Sequence, residues 1–319
     1  MTVSTLPTLN FLTGSDDSID YRPAINSAGV AVVFERTPIK GGHTVLNEVG
    51  VLDGAAAPAV LLSGASSVPP SQTRPDWCWT TDIIAFNGAE KNTGVVSVWQ
   101  VPGYGGDPQP IAGTTGCFYP RWSLDGSLFV TEDHSTSAKP KPCNSIFYAN
   151  GNQKCPNIDG TDAGQTPLFG GMPAVGPSDL PQIAFAGQPK LAGWGDAKST
   201  VAKYDENKNY IFLNTLSGNG VYTSAPMEPG ASLTTYDPKY QGRAPSWSPN
   251  GSTIVFESNR EGNGYAIYLY DLKGNTVTQV TDPKFGGQHA KFFPDGTKLI
   301  LSIHHPDKPK TRGIAWVSI

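Results

Sequence analysis

The chain has 319 residues, with 36 glycines, 28 prolines and only 16% charged residues, which disfavours long surface helices and favours short strands joined by turns. The net charge of −4 and the lack of a basic run argue against nucleic-acid binding. No run of apolar residues reaches the length of about 18 that a membrane-spanning helix needs.

The first predicted element is a short strand near the N-terminus. Residues 1–7 have neither a charged n-region nor an apolar h-region, so the sequence as it stands predicts no signal peptide. The next residues, 8–13, are similar to residues 278–281, which end a repeat further along the chain. We therefore expect residues 8–13 to form a strand of the same kind.

A pattern with a proline near its start then recurs along the chain. Aligned on that proline, its copies begin at residues 23, 75, 120, 173 and 245, and a sixth begins at residue 290, where alanine replaces proline. The clear copies contain a strand, a tight turn and a β-branched or aromatic second strand, followed by two further strands. Six such antiparallel units predict an all-β, six-bladed β-propeller with four-stranded blades.

The fourth and sixth units depart from the common length. The interval of 72 residues between prolines 173 and 245 predicts an insert in the fourth blade at about residues 190–209, which contains Trp194 and Tyr204. The sixth unit has room for only three strands before the chain ends. We therefore expect the N-terminal strand to complete the last blade, which removes free sheet edges. The prediction is one propeller domain over residues 1–319.

The fifth unit is the clearest copy. It opens with Ala-Pro-Ser-Trp-Ser-Pro-Asn-Gly at residues 244–251 and continues to Ser-Asn-Arg-Glu-Gly at residues 258–262. These residues resemble the TolB-like (PD40) repeat, whose signature is Pro-x-Trp-Ser-Pro-Asp-Gly, a strand, and Ser-Asn-Arg-Asp-Gly. The third and sixth units match in part, and the other three have lost most of the signature. The resemblance implies a TolB-like propeller with a binding or scaffold role in the periplasm or outside the cell.

The aromatic residues two positions beyond each repeat proline, or its equivalent, have a structural interpretation. We expect these side chains to pack between blades, where truncation costs several kcal/mol. They are Trp77, Trp122, Trp247 and Phe292.

The residues just before each repeat proline are predicted to form a ring at one mouth of the central channel. The ring comprises Tyr21-Arg22, Thr73-Arg74, Phe118-Tyr119, Gly171-Met172, Arg243-Ala244 and Gln288-His289. Arginine forks pair bidentately with carboxylates or phosphates. One hypothesis is therefore an anion site that uses Arg22, Arg74, Tyr119, Arg243, Gln288 and His289. The alternative is that the arginines pair with Asp17, Asp20, Asp76 or other acids and fasten the blades together.

Histidines near the same mouth suggest a second hypothesis. His304 and His305 follow the second strand of the last blade, at the level of Gln288 and His289. Oligogalacturonate lyases also use a TolB-like propeller, and hold a divalent metal with histidines and a glutamine at the channel mouth. Gln288, His289 and His304 or His305 are similar in kind, which implies a divalent metal such as Ca²⁺ or Mn²⁺. No spacing signature supports the match, and that family's propeller is larger.

These patterns lead to three functional hypotheses. The first is a propeller that binds a small molecule, an anionic carbohydrate such as a uronic-acid sugar, or a protein partner at the mouth. The second is a metal-assisted polysaccharide lyase or hydrolase acting on an anionic carbohydrate. The third is a lectin. The sequence contains no Gly-x-Ser-x-Gly elbow, and it identifies no catalytic residue.

Four cysteines bear on the compartment. Cys143 and Cys155 lie in one loop rich in Asn, Gly and Pro, where a disulfide would be plausible; four unpaired thiols are the alternative. A disulfide would agree with the periplasmic or secreted location that the TolB resemblance implies, and the cytoplasm stays the alternative. We expect a monomer without a membrane span.

Overall fold

The computed structural model describes ten stretches of the chain: residues 6–52, 57–62, 67–135, 142–148, 168–177, 182–189, 209–216, 222–227, 240–262 and 264–319. Residues 190–208 of the insert predicted at about residues 190–209 lie outside them, and these include Trp194 and Tyr204. Cys155 also lies outside, so the Cys143–Cys155 disulfide stays a prediction. Cys78 and Cys117 are both fully buried.

The described strands form six small antiparallel sheets, and the prediction of a six-bladed β-propeller is confirmed. The first two blades are continuous in sequence. Blade 1 contains β2 (Ser18–Ile25), β3 (Ala31–Pro38), β4 (Val45–Gly50) and β5 (Ala59–Val60). Blade 2 contains β6 (Gln72–Trp77), β7 (Ile83–Ala89), β8 (Val96–Pro102) and β9 (Gln109–Pro110).

The next three blades follow the same order. Blade 3 has the described strands β10 (Cys117–Trp122), β11 (Leu128–Asp133) and β12 (Cys143–Tyr148). Blade 4 contains β13 (Leu168–Val175), β14 (Ile183–Pro189), β15 (Tyr210–Leu216) and β16 (Tyr222–Pro226). Blade 5 contains β17 (Gly242–Trp247), β18 (Thr253–Ser258), β19 (Ala266–Asp271) and β20 (Thr276–Gln279).

Blade 6 closes the ring with strands from both ends of the described chain. It contains β21 (Gln288–Phe292), β22 (Lys298–His305), β23 (Lys308–Ser318) and β1 (Asn10–Phe11). Asn10 pairs with Trp316 and Phe11 with Ala315, so the predicted closure by the N-terminal strand is confirmed. The backbone N–H of Ile314 also donates to Thr13 Oγ1 at 2.9 Å. Because this strand completes the sheet, the outer edge of β23 is paired rather than exposed.

The prediction that repeat aromatics pack between blades is confirmed. Trp247 of blade 5 packs with Ala174 and Ile211 of blade 4, and its Nε1 donates to the Ala174 carbonyl at 3.1 Å. The other three side chains contact the preceding blade in the same way. Trp77 packs against blade 1, Trp122 against blade 2 and Phe292 against blade 5. Burial of one large aromatic at each boundary joins neighbouring sheets.

The helical content of the described residues is a single 3-10 turn, Pro283–Phe285, just before β21. The turn ends at Gly286, whose φ of 60° is the left-handed conformation that glycine tolerates. A Cβ at this position would lie 3.1 Å from Arg312 Nη2, so the glycine lets that guanidinium approach the turn. No helix in the described stretches is long and apolar enough to cross a membrane.

Candidate ligand-binding site at the channel mouth

The six residues before the repeat proline, or its equivalent, share an unusual backbone conformation. Each has a positive φ, between 47° and 56°, and each lies at a break in register between the first two strands of its blade. The residues are Arg22, Arg74, Tyr119, Met172, Ala244 and His289. For an L-residue this conformation costs of the order of 1–2 kcal/mol, so surrounding contacts must hold it. The repeated bulge defines the ring.

Side chains of the preceding blade supply those contacts at four of the six positions. A carboxylate or amide near the end of each second strand accepts the backbone N–H of the next blade's bulge residue. The pairs are Glu35 with Arg74 at 2.9 Å, Asn87 with Tyr119 at 2.9 Å, Glu132 with Met172 at 3.0 Å, and Glu257 with His289 at 2.7 Å. Among the described residues, these bonds connect blade 1 to blade 2, blade 2 to blade 3, blade 3 to blade 4, and blade 5 to blade 6.

Two of the ring arginines also form ion pairs inside their own blades. Arg22 pairs with Glu35, and Arg243 pairs with Glu257; both glutamates are almost fully buried. Burial acts to lower the pKa of each arginine, but the paired glutamate and two nearby tyrosines together outweigh it, so the pKa is raised. Arg22 and Arg243 thus have acidic partners, as the structural alternative expected, but each glutamate belongs to the arginine's own blade rather than to a neighbouring one.

The acids suggested from the sequence have other partners. Asp20 accepts two hydrogen bonds from Arg36, at 2.6 and 2.7 Å. Asp76 contacts Arg121 and Lys291 inside the channel. Asp17 lies 3.7 Å from Lys40 on an exposed surface.

Aromatic side chains connect the ring across the mouth. Tyr21 donates to Gln288 Oε1 at 2.7 Å and meets the ring of His289 edge-on, with centroids 4.7 Å apart. Arg22 Nη2 donates to Tyr119 Oη at 3.1 Å. The structure therefore brings residues of blades 1, 3 and 6 into contact, as the ring prediction requires.

Two arginines at the mouth have no carboxylate within ion-pair distance among the described residues. Arg74 bonds Thr73 Oγ1 at 3.2 Å, and its guanidinium lies over Tyr119, 4.5 Å from the ring centroid. Arg312 donates to the Ser302 carbonyl at 3.3 Å and lies 5.5 Å from the centroid of Tyr21. Both residues are half-buried.

Arg312 was not predicted from the sequence. It lies on β23 opposite His304 of β22, and no repeat motif marks its position. The pairing of β22 with β23, which is irregular after His304, brings Arg312 to the mouth. The sequence does not show this pairing.

His289 is buried at the centre of this group. Burial, followed by the charges of Arg22 and Arg243, lowers the pKa of His289 well below its usual value. Arg121 and Lys291 act in the same direction. The imidazole is therefore neutral, and its Nδ1 has no hydrogen-bond partner in the described part of the chain.

Three of the four predicted metal ligands, His305, Gln288 and His289, already have other neighbours in the structure. The ring of His305 packs on Phe11, with centroids 4.4 Å apart, and its Nδ1 accepts the backbone N–H of Asp307. Gln288 Oε1 is occupied by Tyr21, and His289 lies among cationic side chains. Within the described residues no group of three or more His, Cys, Asp or Glu is placed to hold a metal.

One acid–histidine pair lies beside the ring. Glu132 Oε1 lies 2.5 Å from Nε2 of the partly exposed His134, whose ring meets Phe118 edge-on at 5.2 Å. The other oxygen of Glu132 holds the Met172 backbone. Glu132 therefore connects blade 3 to blade 4. The described contacts of the pair include no nucleophilic side chain.

Comparisons with solved structures agree on the fold. TolB from Acinetobacter baumannii matches with a TM-score of 0.53 and 15% identity over 99% of this chain and 66% of that one. An oligogalacturonate lyase in complex with manganese matches with a TM-score of 0.54 and 13% identity over 99% of this chain and 94% of that one. The tricorn protease matches with a TM-score of 0.58 and 13% identity over 92% of this chain, and the match covers only 26% of the protease. At these identities the likeness concerns the fold alone.

Comparisons of sequence alone reach less far. No family model matches the chain. The uncharacterized peptidase YuxL of Bacillus subtilis (strain 168) is 32% identical over 59 residues, which are 18% of this chain and 9% of that protein. Fold and mouth together define a six-bladed β-propeller with an arginine-rich channel entrance. In its fold it is a TolB-like propeller.

Proposed function

We propose that this is a binding propeller whose mouth holds an anionic ligand, with a uronic-acid sugar as the ligand class. One observation carries the proposal. Arg74 and Arg312 have no carboxylate partner among the described residues, whereas Arg22 and Arg243 beside them do. The mouth therefore has two guanidinium groups in excess of its ion-paired acids. A ligand carboxylate would supply the missing partner in the bidentate geometry that arginine favours.

The remaining mouth residues suit a sugar acid. Tyr21 is half-buried, and the guanidinium groups of Arg22 and Arg312 lie over its ring, so cation–π contacts hold both arginines at the mouth. The Gln288 amide nitrogen can donate to a hydroxyl while its oxygen accepts from Tyr21. The proposed contact residues are those predicted from the sequence, with one addition from the structure. They are Arg22, Arg74, Tyr119, Arg243, Gln288, His289 and Arg312.

Calorimetric titration tests the ligand class directly. We expect a short oligogalacturonate to bind and a neutral oligoglucose of equal length not to bind. Arg74→Met should weaken binding about tenfold or more, because a hydrogen bond to a charged group contributes roughly 1.5–3 kcal/mol. Lys273→Met, in the exposed β19–β20 turn, removes the same charge away from the mouth and should leave binding unchanged. Equal binding of the two oligomers, or no binding of either, would overturn the proposal.

The metal content of the protein distinguishes a metal-assisted lyase or hydrolase from a binding protein. The purified protein is analysed by elemental mass spectrometry without chelator, beside His289→Ala. Near-stoichiometric Mn²⁺ or Ca²⁺ that is lost in the variant would favour the enzyme, and an assay for unsaturated uronate products would follow. A lectin would instead bind neutral sugars, which the calorimetric comparison detects.

The TolB-like fold also supports a proposal about location and assembly. We propose that the protein works in the periplasm or outside the cell, as a monomer that meets its ligand or a protein partner at the mouth. Light scattering after size-exclusion chromatography measures the assembly state. Fractionation of cells that produce the protein from its own gene measures the compartment.

A further inference from the structure

A second group of charged residues lies below the mouth, inside the channel. Asp76, Arg121 and Lys291 occupy the position just after the repeat proline, or its equivalent, in blades 2, 3 and 6. Lys291 Nζ donates to Asp76 Oδ1 at 2.6 Å and to the Pro75 carbonyl at 3.1 Å. Arg121 Nη1 donates to the same Oδ1 at 3.2 Å. The three side chains thus link blade 6 to blades 2 and 3, which are not its neighbours in the ring.

These side chains line a cavity of about 60 Å³ at the level of the inter-blade tryptophans. One water needs roughly 10–15 Å³ of such space, so the cavity admits an ion of a few heavy atoms and excludes an oligosaccharide. Its other lining residues carry no charge. Two cations against one carboxylate leave a single positive charge in excess.

Hydrogen-bond donors are also in excess. Asp76 already accepts from Arg121, from Lys291 and, through Oδ2, from the Trp122 backbone at 2.7 Å. Arg121 Nε and Trp122 Nε1 are both buried and have no partner among the described residues. The indole nitrogens of the other lining tryptophans are all bonded. Trp77 donates to Asp82, Trp79 to the Ile25 carbonyl and Trp247 to the Ala174 carbonyl.

Buried donors without acceptors each cost about 1–3 kcal/mol. A water can accept from them, but it must also donate, and the one carboxylate nearby is nearly saturated. An anion accepts from all donors and neutralises the excess charge. With no anion bound, burial, and then the charge of Arg121, lower the pKa of Lys291 to about 7 against the opposing effect of Asp76, so the excess positive charge is complete only below about pH 7.

We propose that the channel holds a small monovalent anion, of the size of chloride to a simple carboxylate, on Arg121 Nε and Trp122 Nε1 beside Lys291. The bound anion would tie blades 2, 3 and 6 together beneath the mouth. The site differs from the mouth site in its residues and in the size of its ligand. The anion site can therefore be tested independently of the proposed sugar binding.

Bromide anomalous diffraction on wild-type crystals locates the site without any variant. We expect a peak within hydrogen-bond distance of Arg121 Nε. In solution, the line width of ³⁵Cl NMR measures chloride binding at constant ionic strength. Arg121→Lys keeps the charge but removes Nε, and should weaken binding about tenfold or more.

Tryptophan variants provide the matched control. Trp122→Phe removes the unpaired donor in the cavity and should reduce chloride binding. Trp99→Phe removes a buried Nε1 that likewise has no partner among the described residues, but Trp99 does not line the cavity. This variant should leave chloride binding unchanged. An empty or water-filled channel in the bromide map would overturn the proposal, as would equal chloride binding by the two phenylalanine variants.

Discussion

The carboxylate of Glu257 bonds two blades at once. One oxygen pairs with the guanidinium of Arg243 in blade 5, and the other accepts the backbone N–H of His289 in blade 6 at 2.7 Å. Glu35 does the same for Arg22 in blade 1 and Arg74 in blade 2. A single buried glutamate thus orients a mouth arginine and holds the next blade's positive-φ bulge. The mouth and the blade boundary are therefore energetically coupled.

The first prediction concerns this shared glutamate. Glu257→Ala leaves a largely buried guanidinium and a buried N–H without an acceptor, which should lower the free energy of unfolding by about 3–5 kcal/mol. Glu261→Ala, at an exposed position in the same blade, should stay within about 0.5 kcal/mol of wild type. Urea unfolding monitored by circular dichroism measures both. Similar midpoints for the two variants would show that the bridge contributes little.

The second prediction concerns pH. The folded state keeps His289 neutral because its pKa is lowered, whereas the unfolded chain takes up a proton near pH 6.5. Because the unfolded state then binds more protons, this group makes stability fall as the pH drops below about 6.5. Asparagine tolerates positive φ and does not titrate, so His289→Asn should flatten the stability profile between pH 6.5 and 5.5.

The control is the same substitution at the exposed His43. The stability profile of His43→Asn should follow that of wild type. In both proteins the contribution of His289 to the slope of unfolding free energy against pH should approach about 1.4 kcal/mol per pH unit at the acid end. Chemical denaturation at several pH values measures the slopes. A wild-type slope in His289→Asn would mean that the folded protein takes up this proton as readily as the unfolded chain.

The third prediction compares two alanines with similar burial and different backbones. Ala244 has φ 49° and is 4% exposed. Ala174 lies two positions later in the repeat of blade 4, just after the proline, has no positive φ and is 5% exposed. Ala174→Gly should destabilise by about 1 kcal/mol through lost packing and added chain entropy. Ala244→Gly relieves the left-handed strain and should be neutral or stabilising. Thermal unfolding of both checks the difference, and equal losses would contradict it.

The sequence predicts the blades because each carries its own local signals. Residues 244–251 contain the strand, the turn residues and the packing tryptophan of one blade, and the spacing of the prolines supplies the rest. The bulges follow from the same motif, since the residue before each proline lies at the register break. Closure through residues 8–13 was predictable because the last unit lacks a strand.

The partners of the mouth residues could not be predicted in the same way. Glu35 holds the backbone of Arg74 from another blade, and a pairing across 39 residues leaves no local pattern. Arg312 is similar, since it follows no repeat motif. The channel triad had a usable signal that was overlooked: Asp76, Arg121 and Lys291 all stand one position after the repeat proline, where blades 1 and 4 have alanine.

The last prediction tests how the ring closes. Leu12 is 9% exposed and packs with Ile314 of blade 6 and Phe34 of blade 1, so it joins the N-terminal strand to both blades. Leu12→Ala removes this contact and leaves a cavity, which should cost about 2–5 kcal/mol. Leu6→Ala, 43% exposed and outside β1, should cost little.

Hydrogen exchange distinguishes local opening from global loss. If β1 is integral to the closed ring, Leu12→Ala should speed exchange at the Ile314 amide, which bonds Thr13 Oγ1, and at neighbouring amides of β23. It should also lower the midpoint for all six blades together, because a propeller with an unpaired last blade loses contacts on both sides of that blade. Loss confined to residues 8–13, with an unchanged midpoint elsewhere, would show that the other strands hold the ring closed without them.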